Sequence, residues 1–134
     1  MITAFVDGGA RGNPGPAGYG AWIVDAGGTT LAELHGALGT TTNNVAEYQG
    51  LIAALTWVAE RGDRAVHIKA DSLLLVQQMK GAYRVKHPNL IPLHRQATKI
   101  AASIGTVTFE HIPREQNKDA DRLSNIGMDA NAPA

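Results

Sequence analysis

Residues 65–72 read AVHIKADS, and the reading of this stretch decides the fold. Ala65 to Ala70 reads as a strand, with Asp71 at its end. Ser72 then caps a short helix, Leu73 to Lys80, which Gly81 stops. A long amphipathic helix precedes the strand. A strand reached through a helix pairs in parallel by a right-handed crossover, whereas strands joined by short turns pair antiparallel. Both kinds of connection occur in this chain, so the sheet is expected to be mixed.

Toward the N-terminus, Ile2 to Val6 is an apolar stretch ending in Asp7 and reads as a buried strand. GGARGNPGPAGYG (8–20) is so dense in Gly and Pro that it reads as a turn. No Gly-Lys-Ser/Thr follows and the next element is a strand, so it is not a P-loop. Tyr19 to Val24 and Leu31 to Leu38 form two further strands around the turn Asp25–Gly28. Thr40 to Asn44 supplies N-cap candidates for the long helix, which runs to about Glu60 and ends at Gly62. Its apolar positions Val45, Tyr48, Leu51, Ile52, Leu55 and Val58 keep helical spacing.

Beyond Gly81, Leu90, Leu93, Ala97, Ile100 and Ile104 mark another amphipathic helix. Thr106 to Ile112 is the last strand, and about Asn117 to Met128 the last helix. The order is βββαβααβα, an α/β fold with a five-stranded mixed β-sheet flanked by α-helices. Residues 1–128 form one domain, and DANAPA (129–134) reads as a C-terminal tail or the start of a linker to a further domain.

Composition narrows the function. With no cysteine, disulfides and thiolate metal sites are excluded, and any metal must be held by oxygen or imidazole. No apolar run approaches the roughly 20 residues of a membrane span. MITAFVDGG lacks the basic flank and small-residue cleavage site of a signal peptide, so a cytoplasmic setting is expected, and a monomeric domain is the separate default. The formal net charge is zero, yet its distribution is uneven. No acidic residue falls between Asp71 and Glu110, where Lys80, Arg84, Lys86, Arg95 and Lys99 lie. That strip is either phosphate-facing or a solvated helix face.

Asp7 and Asp71 each follow an apolar strand. If the two strands are parallel neighbours, their carboxylates sit side by side beyond the strand ends, where sites form in such sheets. Unpaired, they would repel each other, and a divalent cation would remove that repulsion. Glu47 falls in the first turn of the long helix, where support of the helix N-terminus is its structural alternative. Asp121 lies in the last helix, between the core-facing Ala120 and Leu123. Each acid has a structural reading of its own; the functional reading rests on all four together.

Four motifs in order, DGG-x4-PGPAGYG (7–20), TNNVAEYQGLIAAL (42–55), KADSLLLVQQM (69–79) and HIPREQNKDADRLSN (111–125), carry a resemblance to type 1 ribonuclease H from Ile2 to about Met128. The resemblance implies the ribonuclease H-like fold and hydrolysis of the RNA strand of RNA–DNA hybrids, leaving 5′-phosphate and 3′-hydroxyl ends. It implies Asp7, Glu47, Asp71 and Asp121 as catalytic ligands of two Mg²⁺ ions, or Mn²⁺, ions that favour oxygen donors. It places Asn44 at the minor groove, where ribose 2′-hydroxyls are displayed. Asn13 and Thr42 match a pocket for a DNA-strand phosphate, and Asn43 and Ser72 complete the expected substrate contacts.

Three departures accompany the resemblance. The basic, Trp-bearing insertion of some members is missing between Gly81 and Pro88, so either a lower affinity or dependence on an attached domain is expected. Leu73 stands where many members place Gln. His111 precedes Asp121 by ten residues, as the family's mobile His does, but shares a strand face with Val107 and Phe109. Arg114, in the connection before the last helix, is the better placed of the two to assist at the phosphate. The rival readings are a catalytically weak hybrid-binding module, a related nuclease acting on double-stranded RNA, and a transposase-like DNA nuclease. The intact acidic quartet speaks against the first and the TNN segment against the last.

Overall fold

The computed structural model describes residues 1–131; the end of the expected tail, 132–134, lies outside them. The elements are β1 (Ile2–Ala10), β2 (Gly15–Val24), β3 (Thr30–Thr41), α1 (Asn43–Arg61), β4 (Ala65–Ala70), α2 (Leu73–Met79), α3 (Ile91–Ile104), β5 (Thr106–His111) and α4 (Lys118–Asp129), with a 3₁₀ turn at Arg114–Gln116. The sheet order is β3-β2-β1-β4-β5. β1–β2 and β2–β3 are antiparallel, while β1–β4 and β4–β5 are parallel, so the sheet is mixed as expected.

On one face, Ala4 and Val6 of β1, Ile23 of β2 and Ile68 of β4 pack with Leu51, Leu55 and Val58 of α1. Burying each of the larger side chains stabilises the fold by about 1.5–3 kcal/mol. The Tyr48 hydroxyl, carried into this core by α1, donates to Gln78 Oε1 at 2.6 Å. Alternation along the strands turns Asp7, Gly18 and Gly20 to the opposite face, which α4 covers.

The Gly-rich stretch corrects the sequence reading. Gly8 to Ala10 belong to β1 and Gly15 to Gly20 to β2, and the two runs pair; the turn is confined to residues 11–14. These glycines serve close packing rather than a loop. A Cβ on Gly8 would lie 2.2 Å from the Ala46 carbonyl carbon of α1, and one on Gly18 would lie 2.2 Å from the Met128 nitrogen of α4. Both helices therefore sit almost on the strand backbone, at the end of the sheet that carries the acids.

α1 begins where Thr42, of the candidates in residues 40–44, accepts from Val45 N–H at 3.3 Å. It ends at Gly62 in the left-handed region (φ 88°). Two residues of the expected tail are held against the domain. Asp129 pairs with Arg11, and Asn131 accepts from Gly39 N–H (2.8 Å) and donates to the Ala17 carbonyl (2.9 Å).

Candidate active site

The parallel ladder between β1 and β4 ends at the pair Val6–Ala70. Asp7 and Asp71 are each the next residue, so the two carboxylates leave adjacent strands on the same face. Asp7 does not end its strand, as the sequence suggested, but continues into pairing with Gly20 of β2. Glu47 is the fifth residue of α1, beyond the first turn where the sequence had placed it. Thr42 already caps the helix, which leaves Glu47 free to turn toward the strand ends, and the missing Cβ of Gly8 admits α1 at that point.

One carboxylate oxygen from each of Asp7, Glu47 and Asp71 lies within 4.8 Å of the others. Asp121, in the first turn of α4, joins the same cleft of about 550 Å³ but stands outside this trio. Its nearest cation is Arg114, with Nη2 4.0 Å from Oδ1.

Such crowding is electrostatically costly. Burial above all, then repulsion from Asp71, pushes the Asp7 carboxyl up from 3.8 to about 8, against the pull of the Gly8 N–H bond at 2.9 Å. Burial also lifts Glu47 to about 7, with Ser72 opposing and Asp71 adding to the rise. Asp71 is raised by burial, opposed by Asn117 and Arg114. Glu47 Oε2 is buried with no hydrogen-bond partner. A hard divalent cation answers all of these at once, by supplying positive charge and a partner for the orphaned oxygen. The donor set is carboxylate only, which suits Mg²⁺ or Mn²⁺. The residues present therefore fit such an ion.

The other expected residues distribute unevenly. Asn44 is exposed and lines the cleft together with Asn43. Asn43 Oδ1 accepts from Ala10 N–H (2.7 Å), and Asn13 Oδ1 accepts from Asn43 N–H (3.1 Å), so Asn13 and Asn43 tie the β1–β2 turn to the start of α1. Ser72 caps α2, accepting from Leu75 N–H at 3.1 Å. Arg114 lines the cleft. His111 does not; it is exposed at the end of β5, with Nε2 3.3 Å from the Asp71 carbonyl oxygen. It keeps the face of Val107 and Phe109 by alternation but is not packed there, because it is the last residue of the strand.

The sequence profile of the Reverse transcriptase-like family matches residues 5–127. The chain belongs to that family. In its fold and sequence it is similar to the N-terminal RNase H domain of Rv2228c from Mycobacterium tuberculosis, with 48% identity, TM-score 0.93, and coverage of 96% of this chain and 94% of that one. Against the whole of that relative, named Bifunctional protein Rv2228c, identity is 50% over 98% of this chain. RNase H1 of Halobacterium salinarum is 37% identical, with TM-score 0.91 over 96% and 97% of the two chains. LC11-RNase H1, solved in complex with RNA/DNA hybrid, is 45% identical, with TM-score 0.92 over 96% and 97%. The chain spans 36% of the length of the mycobacterial relative and 64% of the halobacterial Ribonuclease HI.

In this reverse transcriptase-like domain the cleft and the buried groups behind it include further residues that motif reading did not select. Asn117 is buried, donates to the Val6 carbonyl (2.9 Å), and opposes the rise that burial imposes on the Asp71 carboxyl. Ser124 is buried, with Oγ 2.9 Å from the Asp121 carbonyl and 3.4 Å from Asp7 Oδ2. Arg11, at the start of the β1–β2 turn, also lines the cleft. Only the helical spacing of Ser124 three residues after Asp121 could have flagged any of them.

Proposed function

We propose that the chain is an endoribonuclease that hydrolyses the RNA strand of RNA–DNA hybrids, with Mg²⁺ (Mn²⁺ also serving) held by Asp7, Glu47, Asp71 and Asp121. The observation that carries this is the trio of carboxylate oxygens within 4.8 Å, beside an orphaned Glu47 oxygen and a fourth acid in the same cleft. Two such ions, when bound, supply an activated water and stabilise the leaving 3′ oxygen, which yields 5′-phosphate and 3′-hydroxyl ends.

The chain's own residues set the rest. Asn44, exposed at the cleft, reads ribose 2′-hydroxyls in the minor groove. Asn13, Thr42 and Asn43, fixed between the β1–β2 turn and α1, hold a DNA-strand phosphate, and Ser72, the cap of α2 next to Asp71, adds a substrate contact. Arg114, with its side chain 82% exposed beside Asp121, reaches the RNA phosphate and the departing product. His111 flanks Asp71 and plays the lesser part. The substrate class is supported by relatives named Ribonuclease HI and by LC11-RNase H1 in its complex with a hybrid. We read residues 1–128 as the ribonuclease H unit, and the bifunctional mycobacterial relative supports fusion to a further domain.

The test is cleavage of one sequence as RNA–DNA hybrid, double-stranded RNA, double-stranded DNA and single-stranded RNA, with Mg²⁺ and with chelator. Selective, Mg²⁺-dependent cleavage of the hybrid is expected. Equal or faster cleavage of double-stranded DNA would overturn the substrate assignment.

A further inference from the structure

Among the residues lining the acidic cleft, two carry guanidinium groups, Arg11 and Arg114. Arg114 faces Asp121, whereas Arg11 is paired with none of the four acids but with residues further along α4. Its Nη1 pairs with Asp129, and its Nη2 donates to Asn125 Oδ1 at 3.4 Å. Both partners lie on α4, four and eight residues beyond Asp121. At about 1.5 Å of rise per residue, the Arg11 head is held roughly 6–12 Å along the helix from the fourth acid. Its side chain is 49% exposed and that of Asp129 is 64% exposed. Ion pairs as open as this contribute little to stability. The arrangement therefore aims a cation rather than staples the fold.

The backbone position is fixed from the other side. The ladder of β1 and β2 closes around the turn at Ala10–Ala17, where Arg11 N–H donates to the Pro16 carbonyl at 2.9 Å. Ala10 N–H is held by Asn43. A rigid turn, an exposed guanidinium and two oxygen acceptors that set its direction are the parts of a phosphate contact.

We infer that Arg11 is a substrate-binding residue that contacts a backbone phosphate of the nucleic acid on the α4 side of the cleft, with Asn125 as its positioning residue and Asp129 as the partner it gives up for the phosphate. The inference rests on the proposed hybrid cleavage. A strand carries one phosphate per roughly 3.4 Å of helix rise, so the contacted group lies about two to four nucleotides from the cleaved bond. Until substrate arrives, Asp129 occupies the guanidinium; on binding, the phosphate takes its place and Asn125 keeps the direction.

The experiment is steady-state cleavage of a hybrid by wild type, Arg11→Ala, Arg11→Lys and Asp129→Asn, with thermal denaturation of each. Arg11→Ala is expected to raise KM about fivefold to tenfold with kcat within twofold, and to lower the slope of log KM against log salt by about 1. Arg11→Lys should recover part of the KM, and Asp129→Asn, which frees the cation, should not raise it. Scanning single neutral methylphosphonates along each strand should find a position, two to four nucleotides from the cut, that weakens wild type but not Arg11→Ala. If Arg11→Ala and Asp129→Asn lower Tm equally while KM and salt slope stay unchanged, Arg11 only clamps the turn to α4 and the inference is wrong. If wild type cleaves no hybrid at all, the proposed function itself fails, whatever Arg11 does.

Discussion

Replacing Asp7 by Asn should make the metal-free protein more stable at alkaline pH, although it removes a proposed ligand. The Asp7 carboxyl is raised from 3.8 to about 8, chiefly by burial and then by Asp71. An acid whose pKa is higher in the folded state contributes stability below its unfolded pKa and loses it as pH rises through the folded value. The loss for Asp7 therefore runs from about pH 4 to pH 8. Four pKa units at 1.36 kcal/mol each give a ceiling of about 5 kcal/mol. Asparagine still carries the cost of burying a polar group, and Glu47 and Asp71 relax when one charge leaves, so roughly 3 kcal/mol should be recovered. For a domain of this size that is on the order of 10 °C in Tm. Thermal denaturation in chelator should show the two proteins alike at pH 4 and Asp7→Asn about 10 °C higher at pH 8.5. Millimolar Mg²⁺ should narrow the gap by raising wild type alone. Equal or lower stability of Asp7→Asn at pH 8.5 in chelator would refute the idea that the acids are mutually destabilising without a cation.

Other perturbations follow from the same geometry. Gly18→Ala places a Cβ 2.2 Å from the Met128 nitrogen, so α4 must lift from the sheet; a loss of about 3 kcal/mol in urea denaturation is expected, with cleavage falling alongside it. Thr42→Ala removes the α1 cap and should cost about 1 kcal/mol, and retention of full stability would show that another group caps the helix. Arg114→Ala should lower kcat about tenfold and His111→Ala less than threefold, because Arg114 lines the cleft beside Asp121 and His111 does not; single-turnover rates compare them, and the reverse order would exchange their roles.

Much of this architecture was legible because it is written in local periodicity. The helical spacing of Val45 to Val58 and the strand ending at Ala70 forced the crossover, and the crossover forced Asp7 and Asp71 together. The Gly-rich stretch misled because a glycine that admits a helix looks, in sequence, like a glycine that turns a chain. Gly8 and Gly18 declare their purpose only once Ala46 and Met128 lie against them, 38 and 110 residues away. Glu47 was placed in the first helical turn because five consecutive residues could each have been the cap, and only the structure selects Thr42. Arg11, Asn117 and Ser124 escaped for a related reason. Their partners Asp129, Val6 and Asp7 are more than 100 residues distant, and nothing local marks such pairs.

The carboxylate cluster is proposed to perform metal-dependent hydrolysis of RNA paired to DNA. Single-turnover cleavage of an end-labelled hybrid, by wild type and by Asp71→Asn with Mg²⁺ present, tests it most directly. Loss of cleavage by at least a thousandfold in Asp71→Asn is expected, with Tm in chelator unchanged or raised and wild-type products ending in 5′-phosphate and 3′-hydroxyl. Near-normal cleavage by a folded Asp71→Asn, or undiminished wild-type cleavage in chelator, would contradict it.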